Sequence, residues 1–332
     1  MNWARVTDEG RLWRGVVEFE DVGNGWSAPW RLPVGSIPEG IAGHLGERAR
    51  DPAGVRLDVV TAGVLEFFVH GRPEAPVDVV VDGILVDRVN VDGEQRIKVE
   101  ALADRPVRVE VWLPQFGSVA VSGLASTGAL SAAPDELRWV TYGSSITQCR
   151  GARGPSETWP SLVARRNRWD VTALGFGGEC HLDPVVADTI ASLPADLLSL
   201  CLGVNIHQHA TFSARTLVPA AVDFIKRARA SRTIPSLVIG PIAAPDIEDE
   251  KNAVGLTLAD VRGLVRRSAD LAGATYLDGR ELLGIADQEF LTDERHPGPR
   301  GYELMAKRIL PHLSSALGHV NSEPDLVEID RL

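Results

Sequence analysis

Between residues 55 and 113 apolar and polar positions alternate along the chain. Val55, Leu57 and Val59 are separated by Arg56 and Asp58, and Val107, Val109 and Val111 by Arg108 and Glu110; Val77, Val79 and Val81 repeat the spacing. A period of two puts successive side chains on opposite faces, so these runs predict strands with one face buried and one wet. Asp82-Gly83 and Asp92-Gly93 lie between such runs. That dipeptide tolerates positive φ and predicts a tight hairpin at each place. The first part of the chain therefore reads as an antiparallel β-sandwich of jelly-roll type.

After about residue 135 the pattern changes. Short apolar runs, "LRWVTYG", "DVTALGF", "DLLSLCLG", "PSLVIGPI" and "ATYLDG", lack alternation, as expected of strands buried on both faces. Segments of helical period lie between or after them: "TWPSLVARR", "TLVPAAVDFIKRARA", "LTLADVRGLVRRSADLAG" and "GYELMAKRILPHLSSAL". In the third, Leu258, Val261, Leu264 and Val265 share one face. Repeated strand-helix units predict a parallel sheet covered by helices on both sides, an α/β class of fold. The seam falls in "STGALSAAPDE", residues 126–136, which divides the chain into 1–130 and 131–332. The closing "NSEPDLVEIDRL" carries no decisive pattern.

Composition narrows the partners. With 45 acidic against 34 basic residues the 332-residue chain has a formal charge of −11, and no basic block is present to neutralise phosphates. Nucleic acid and anionic membranes are excluded as expected partners. No apolar stretch approaches the roughly 20 residues that span a bilayer, and the start lacks a basic segment followed by an apolar one. A soluble, unexported, cytoplasmic protein is expected. Cys149, Cys180 and Cys201 are odd in number and form no CxxC, which fits reduced thiols.

In an open parallel sheet, ligands bind beyond the carboxyl ends of the strands. There the sequence places Gly143-Ser144-Ser145, then Gly175-Phe176-Gly177-Gly178, then Gly203-Val204-Asn205, and later Asp293-Glu294-Arg295-His296. A serine hydroxyl needs a base, for which His296 is suited, and Asp293 could hold the imidazole by its other nitrogen. The charge that develops on an attacked carbonyl oxygen needs donors already in place, such as the Asn205 amide or the Gly178 N–H.

These four blocks, "YGSSIT", "GFGG", "GVN" and "DERHP", resemble in order those of the SGNH hydrolases, also called the GDSL family of esterases and lipases. The resemblance covers residues 137–315 and implies a flavodoxin-like three-layer α/β/α domain. It also implies a catalytic Ser145, His296 and Asp293, and an oxyanion hole of the Ser145 and Gly178 amides with the Asn205 side chain. "GWSAPWRLP", "VWLPQFG" and "GGECHLDP" look like a narrower branch in which a β-sandwich precedes the SGNH domain. That branch includes a salicylyl-transferring, tetracycline-tailoring enzyme, so transfer is implied alongside hydrolysis. Ser144 and Ile206 depart from the residues common at those positions, which predicts altered loop hydrogen bonding with the triad kept.

Other residues invite simpler readings. "GFGG" lacks the spacing of a dinucleotide loop, and His207-x-His209 lacks further ligands for a metal. Cys149 and Cys180 are expected to pack. His181 is a candidate substrate contact at the rim. Trp159 is a second, although anchoring a helix capped by Ser156 is its simpler role. Trp26, Trp30 and Trp112 could form a sugar-stacking platform, although aromatics of that size are more often core. The loops "CRGARGPSE" and "AAPDIEDEKNAVG" are candidate pocket walls.

The function expected is that of a serine esterase or acyltransferase acting through acyl-Ser145 on a small-molecule ester, with water or an acceptor alcohol and no cofactor or metal. Two rivals stand beside it: a carbohydrate O-deacetylase, and a non-catalytic glycan- or partner-binding protein with a relic hydrolase domain.

Overall fold

The computed structural model describes residues 2–5, 10–39, 42–100, 105–230 and 233–318. The "NSEPDLVEIDRL" segment lies outside them. The N-terminal part is two antiparallel sheets. One runs Glu18–Gly23, Trp26–Trp30, Val119–Ser126, Val64–Gly71 and Gly93–Glu100, with Asn2–Arg5 also paired to Val119–Ser126. The other runs Leu130–Ala132, Arg56–Thr61, Val107–Trp112, Val77–Val81 and Ile84–Val89, with Trp13–Arg14 beside Arg56–Thr61. Val55, Leu57, Val59, Val77, Val79, Val107, Val109 and Val111 fill the space between the sheets with Leu65, Phe67, Val69 and Ile97, as the alternation predicts.

Two expectations for this part fail. Asp82-Gly83 does join a hairpin, but Asp92-Gly93 does not, because the strands on either side of it belong to different sheets. The face expected to be wet is also covered: Arg56, Asp58 and Glu110 are buried. A second layer packs on it, and their charges are met inside the protein. Arg108 forms a two-bond pair with Asp58 and also reaches Glu136, while Arg56 reaches Asp170 at 2.8 Å. Leu130–Ala132, which straddles the expected division at 130/131, still pairs with Arg56–Thr61.

The covering layer is a five-stranded parallel sheet: β1 (Leu137–Gly143), β2 (Trp169–Gly175), β3 (Leu197–Cys201), β4 (Ser236–Ile239) and β5 (Thr275–Leu277). All five are the runs read from the sequence. Their order is β2-β1-β3-β4-β5, the flavodoxin-like winding. After β1 come α1 (Ser145–Gln148) and α2 (Trp159–Asn167); α3 (Pro184–Ser192) follows β2; α4 (Val204–Gln208) and α5 (Ala214–Arg229) follow β3; α6 (Leu258–Ala272) precedes β5, and α7 (Pro299–Ala316) closes the layer. Val186, Leu217, Phe224, Val261 and Val265 pack α3, α5 and α6 on one face of the sheet. Trp159, Val163, Met305, Ile309 and Leu313 pack α2 and α7 on the other.

β2 is an edge strand, whose outward carbonyls repeat every second residue and would stand unpaired. Buried arginines from the N-terminal part take them. Arg56 donates to the Val171 carbonyl at 3.1 Å, and Arg31 donates to those of Ala173 and Gly175 at 3.0 and 2.6 Å. Burial pulls the Arg31 pKa down to about 9, opposed by the charge of Asp51. The sandwich is thus hydrogen-bonded onto the parallel sheet, which fixes one relative to the other. No helix among the described residues is long and apolar enough to cross a membrane.

Candidate active site

β1 ends at Gly143, and the chain turns at once into α1, whose first residue is Ser145. Ser144 caps this short helix: its hydroxyl accepts from the Ile146 N–H at 3.3 Å and its carbonyl from Thr147 and Gln148. Ser144 therefore shapes the turn, while Ile206 is core. The turn fits against β2 only because residue 175 is glycine; a Cβ there would stand 2.3 Å from the Gln148 nitrogen.

Ser145 Oγ lies 2.8 Å from His296 Nε2, and His296 Nδ1 lies 2.8 Å from Asp293 Oδ2. The two outer residues belong to the tight loop between β5 and α7, which doubles back so that Thr292 donates to the His296 carbonyl at 2.8 Å. Asp293 also accepts from the His296 backbone amide at 2.7 Å. Burial pushes the Asp293 carboxyl up, but hydrogen bonds from the His296 amide and ring, with its charge, outweigh this and hold it below the usual carboxylate range. An ionised carboxylate on Nδ1 leaves Nε2 free to accept the hydroxyl proton.

The donors follow the same logic. In the loop after β2, Phe176 donates to Gly143 O, Gly177 to Gln148 Oε1 and Glu179 to Phe176 O, at 2.8, 2.8 and 3.0 Å. The Gly178 amide, between the last two, has no protein acceptor among the described residues, and its φ of +80° is one that glycine adopts without strain. Asn205, on the first turn of α4, accepts the Cys180 N–H on Oδ1 at 3.2 Å. Its buried amide is thereby oriented with Nδ2 unengaged. The Ser145 N–H, at the start of α1, is likewise without a protein partner. These three donors and Ser145 line one cavity of about 670 Å³ with Asp293 and His296.

The walls differ from those the sequence suggested. Arg150 and Gly151 of the first candidate loop do line the cavity, but so do His44 and Arg48 of the N-terminal part, which no motif marks, and Phe116 of "VWLPQFG". Arg48 and Arg150 each stack on the Phe116 ring at 4.6 Å. The second loop supports the site from behind: Asp246 pairs with Arg295, next to His296, and the Glu250 carbonyl holds His207. His181 lies in an adjoining cavity of about 740 Å³ that shares His44, Glu179 and His209 with the first. Its ring is fixed by the Gly178 carbonyl and the Thr211 hydroxyl, each at 2.9 Å.

Trp159 is not at the substrate surface. It is fully buried against Trp139 and donates to the Ile146 carbonyl at 3.0 Å, supporting α1 from beneath. The helix it opens is capped by Thr158, not Ser156, which instead donates to Asp78. Trp112 and Trp30 are buried as well, so with Trp26 they form no open stacking platform. His207 is buried while His209 faces the cavities, and no cluster of three metal-ligating side chains occurs among the described residues. Cys149 and Cys180 are buried free thiols, and burial raises the pKa of both.

Residues 141–304 match the sequence pattern of the GDSL-like lipase/acylhydrolase family. The expected likeness to that family is thereby shown over these residues. Among solved structures, the salicylyl-acyltransferase SsfX3 from a tetracycline biosynthetic pathway is 27% identical, with a TM-score of 0.84 over 96% of this chain and 97% of the other. A family two carbohydrate esterase from Clostridium thermocellum, solved with cellohexaose, shares the fold at 17% identity and a TM-score of 0.64, over 81% of this chain and 97% of that one. The acetyl xylan esterase Est2A from Butyrivibrio proteoclasticus does so at 14% and 0.64, over 96% and 100%. No curated protein sequence matches the chain. The GDSL-like protein is thus an enzyme of the esterase and acyltransferase class, acting on ester or acyl substrates with water or an acceptor.

Proposed function

We propose that this GDSL-like enzyme forms an acyl-Ser145 intermediate with a small-molecule ester and passes the acyl group to water or to an acceptor alcohol. The observation that carries this is the 2.8 Å contact from Ser145 Oγ to His296 Nε2, beside three N–H donors that lack acceptors among the described residues. His296 takes the serine proton as Oγ bonds to the carbonyl carbon. The Ser145 and Gly178 amides and Asn205 Nδ2 receive the oxyanion. As the tetrahedral adduct collapses, the carbon–oxygen bond to the leaving alcohol breaks and His296 returns the proton to it. The second alcohol or water then repeats these steps in reverse order.

Transfer is favoured by the likeness to an acyltransferase over nearly the full length of both chains and by the second cavity beside the first, which gives room for an acceptor. We read residues 1–130 and 131–332 as two parts of one enzyme, since His44, Arg48 and Phe116 share the cavity with Ser145. Treatment with a fluorophosphonate followed by peptide mass spectrometry tests the proposal. An adduct on Ser145, absent from Ser145→Ala together with esterase activity, is the expected result. Full activity in a folded Ser145→Ala protein rejects it, and the absence of labelling at any pH favours a binding protein.

A further inference from the structure

Gln148, the last residue of α1, is completely buried, yet it bonds in three directions. Its Oε1 accepts the Gly177 N–H at 2.8 Å, and its Nε2 donates to Asp51 Oδ2 at 2.7 Å and to the Gln115 carbonyl at 3.1 Å. Asp51, also buried, accepts the Gly117 N–H at 3.0 Å and the Arg48 guanidinium at 2.8 Å. One amide side chain therefore joins the nucleophile's helix, the loop that presents the Gly178 N–H, and two segments of the N-terminal part. Gln148 alone among the described residues supplies the acceptor for Gly177, and glycines 177 and 178 have no side chains of their own to hold them.

We propose that Gln148 is a positioning residue: by gripping the Gly177 amide it aims the neighbouring Gly178 N–H at the oxyanion, and Asp51 fixes which end of the Gln148 amide faces the loop. Carboxylate Asp51 can only accept, so Nε2 must face it and Oε1 must face Gly177. The N-terminal part thus reaches the reacting atoms through Asp51 without touching substrate there. This rests on the acyl-Ser145 reading above.

Gln148→Leu keeps the volume and removes every bond. Since deleting an oxyanion donor outright costs about 10²–10³ in kcat, a misaimed one should cost about 10–100-fold, with KM little changed. The affinity for an arylboronic acid, whose tetrahedral Ser145 adduct places an oxygen in the hole, should fall by the same factor. Gln148→Met, close to the amide in length and shape, likewise removes all three bonds and should lose kcat and boronate affinity by the same factor. If Gln148→Leu does not fold, Gln148→Met carries the test.

Wild-type kcat and boronate affinity in Gln148→Leu, with Ser145→Ala inactive, overturn this proposal and leave the acyl-enzyme standing. So does a loss of thermal stability with no loss of boronate affinity. Activity surviving in Ser145→Ala removes both readings.

Discussion

Asn205 offers the sharpest test of how the site handles charge, because its two amide atoms do separate jobs. Oδ1 accepts the Cys180 N–H at 3.2 Å, and Nδ2 is the proposed donor to the oxyanion. Asn205→Ala removes both. Loss of one preorganised donor raises the barrier by about 2.7–4 kcal/mol, which is about 10²–10³ in kcat. Loss of the acceptor strands the buried Cys180 N–H and destabilises the fold by about 1–3 kcal/mol. Asn205→Asp keeps the acceptor and should hold most of that stability. Its second oxygen, however, faces the developing oxyanion. At about 3 Å and an effective dielectric near 20, two unit charges repel by about 5 kcal/mol, so kcat should fall further than in the alanine variant. Initial rates on an aryl ester at saturating substrate, with urea unfolding of each variant, separate the two effects. An Asp variant within 10-fold of the wild-type kcat, or less impaired than the Ala variant, refutes the placement of Nδ2 at the oxyanion.

Asp293→Asn lets the imidazole adopt the wrong tautomer; because the Asp293 side chain is 58% exposed and water can substitute in part, kcat should fall by about 10²–10³, less than for a buried triad carboxylate. The same hydrogen bonds hold the Asp293 carboxyl below its ordinary range, so their stabilisation is complete above the unfolded pKa of about 3.9 and is lost as the pH falls through the folded value; acid unfolding of Asp293→Asn should lack that component. Trp159→Ala should cost about 3–5 kcal/mol in denaturant unfolding, while Trp159→Phe, which keeps most of the packing, should leave KM unchanged. Asp78 is wholly buried and holds Arg88 by two bonds and Ser156 by two more, so Asp78→Ala should lower unfolding stability by about 3–5 kcal/mol.

Much of this molecule is local and so could be read from the chain alone. Alternation at 55–59, 77–81 and 107–111 depends only on which side of a strand a residue faces, and the five apolar runs after residue 135 depend only on burial on both faces. The order of the four motif blocks, with Ser145, Gly178, Asn205 and His296 each beyond a strand, follows from the rule that an open sheet binds at its carboxyl ends.

What no window of sequence could supply is which surfaces meet. Arg56, Asp58 and Glu110 have the spacing of a solvated face, and only the docking of the β2 edge against them makes that face interior. Asp92-Gly93 has hairpin chemistry, but partner choice between two sheets is a global matter. Trp159 follows Ser145 closely in the sequence, and its direction, into the core, is set by Trp139 and Ile146. The Asp51–Gln148–Gly177 chain joins residues up to 126 positions apart, and the wall residue His44 lies 252 positions from His296 along the sequence. The sequence carried the proposed reacting groups, since each must be a particular residue type next to a strand end; the tertiary structure decided what holds and surrounds them, because those contacts are long-range and need only a matching donor, acceptor or shape.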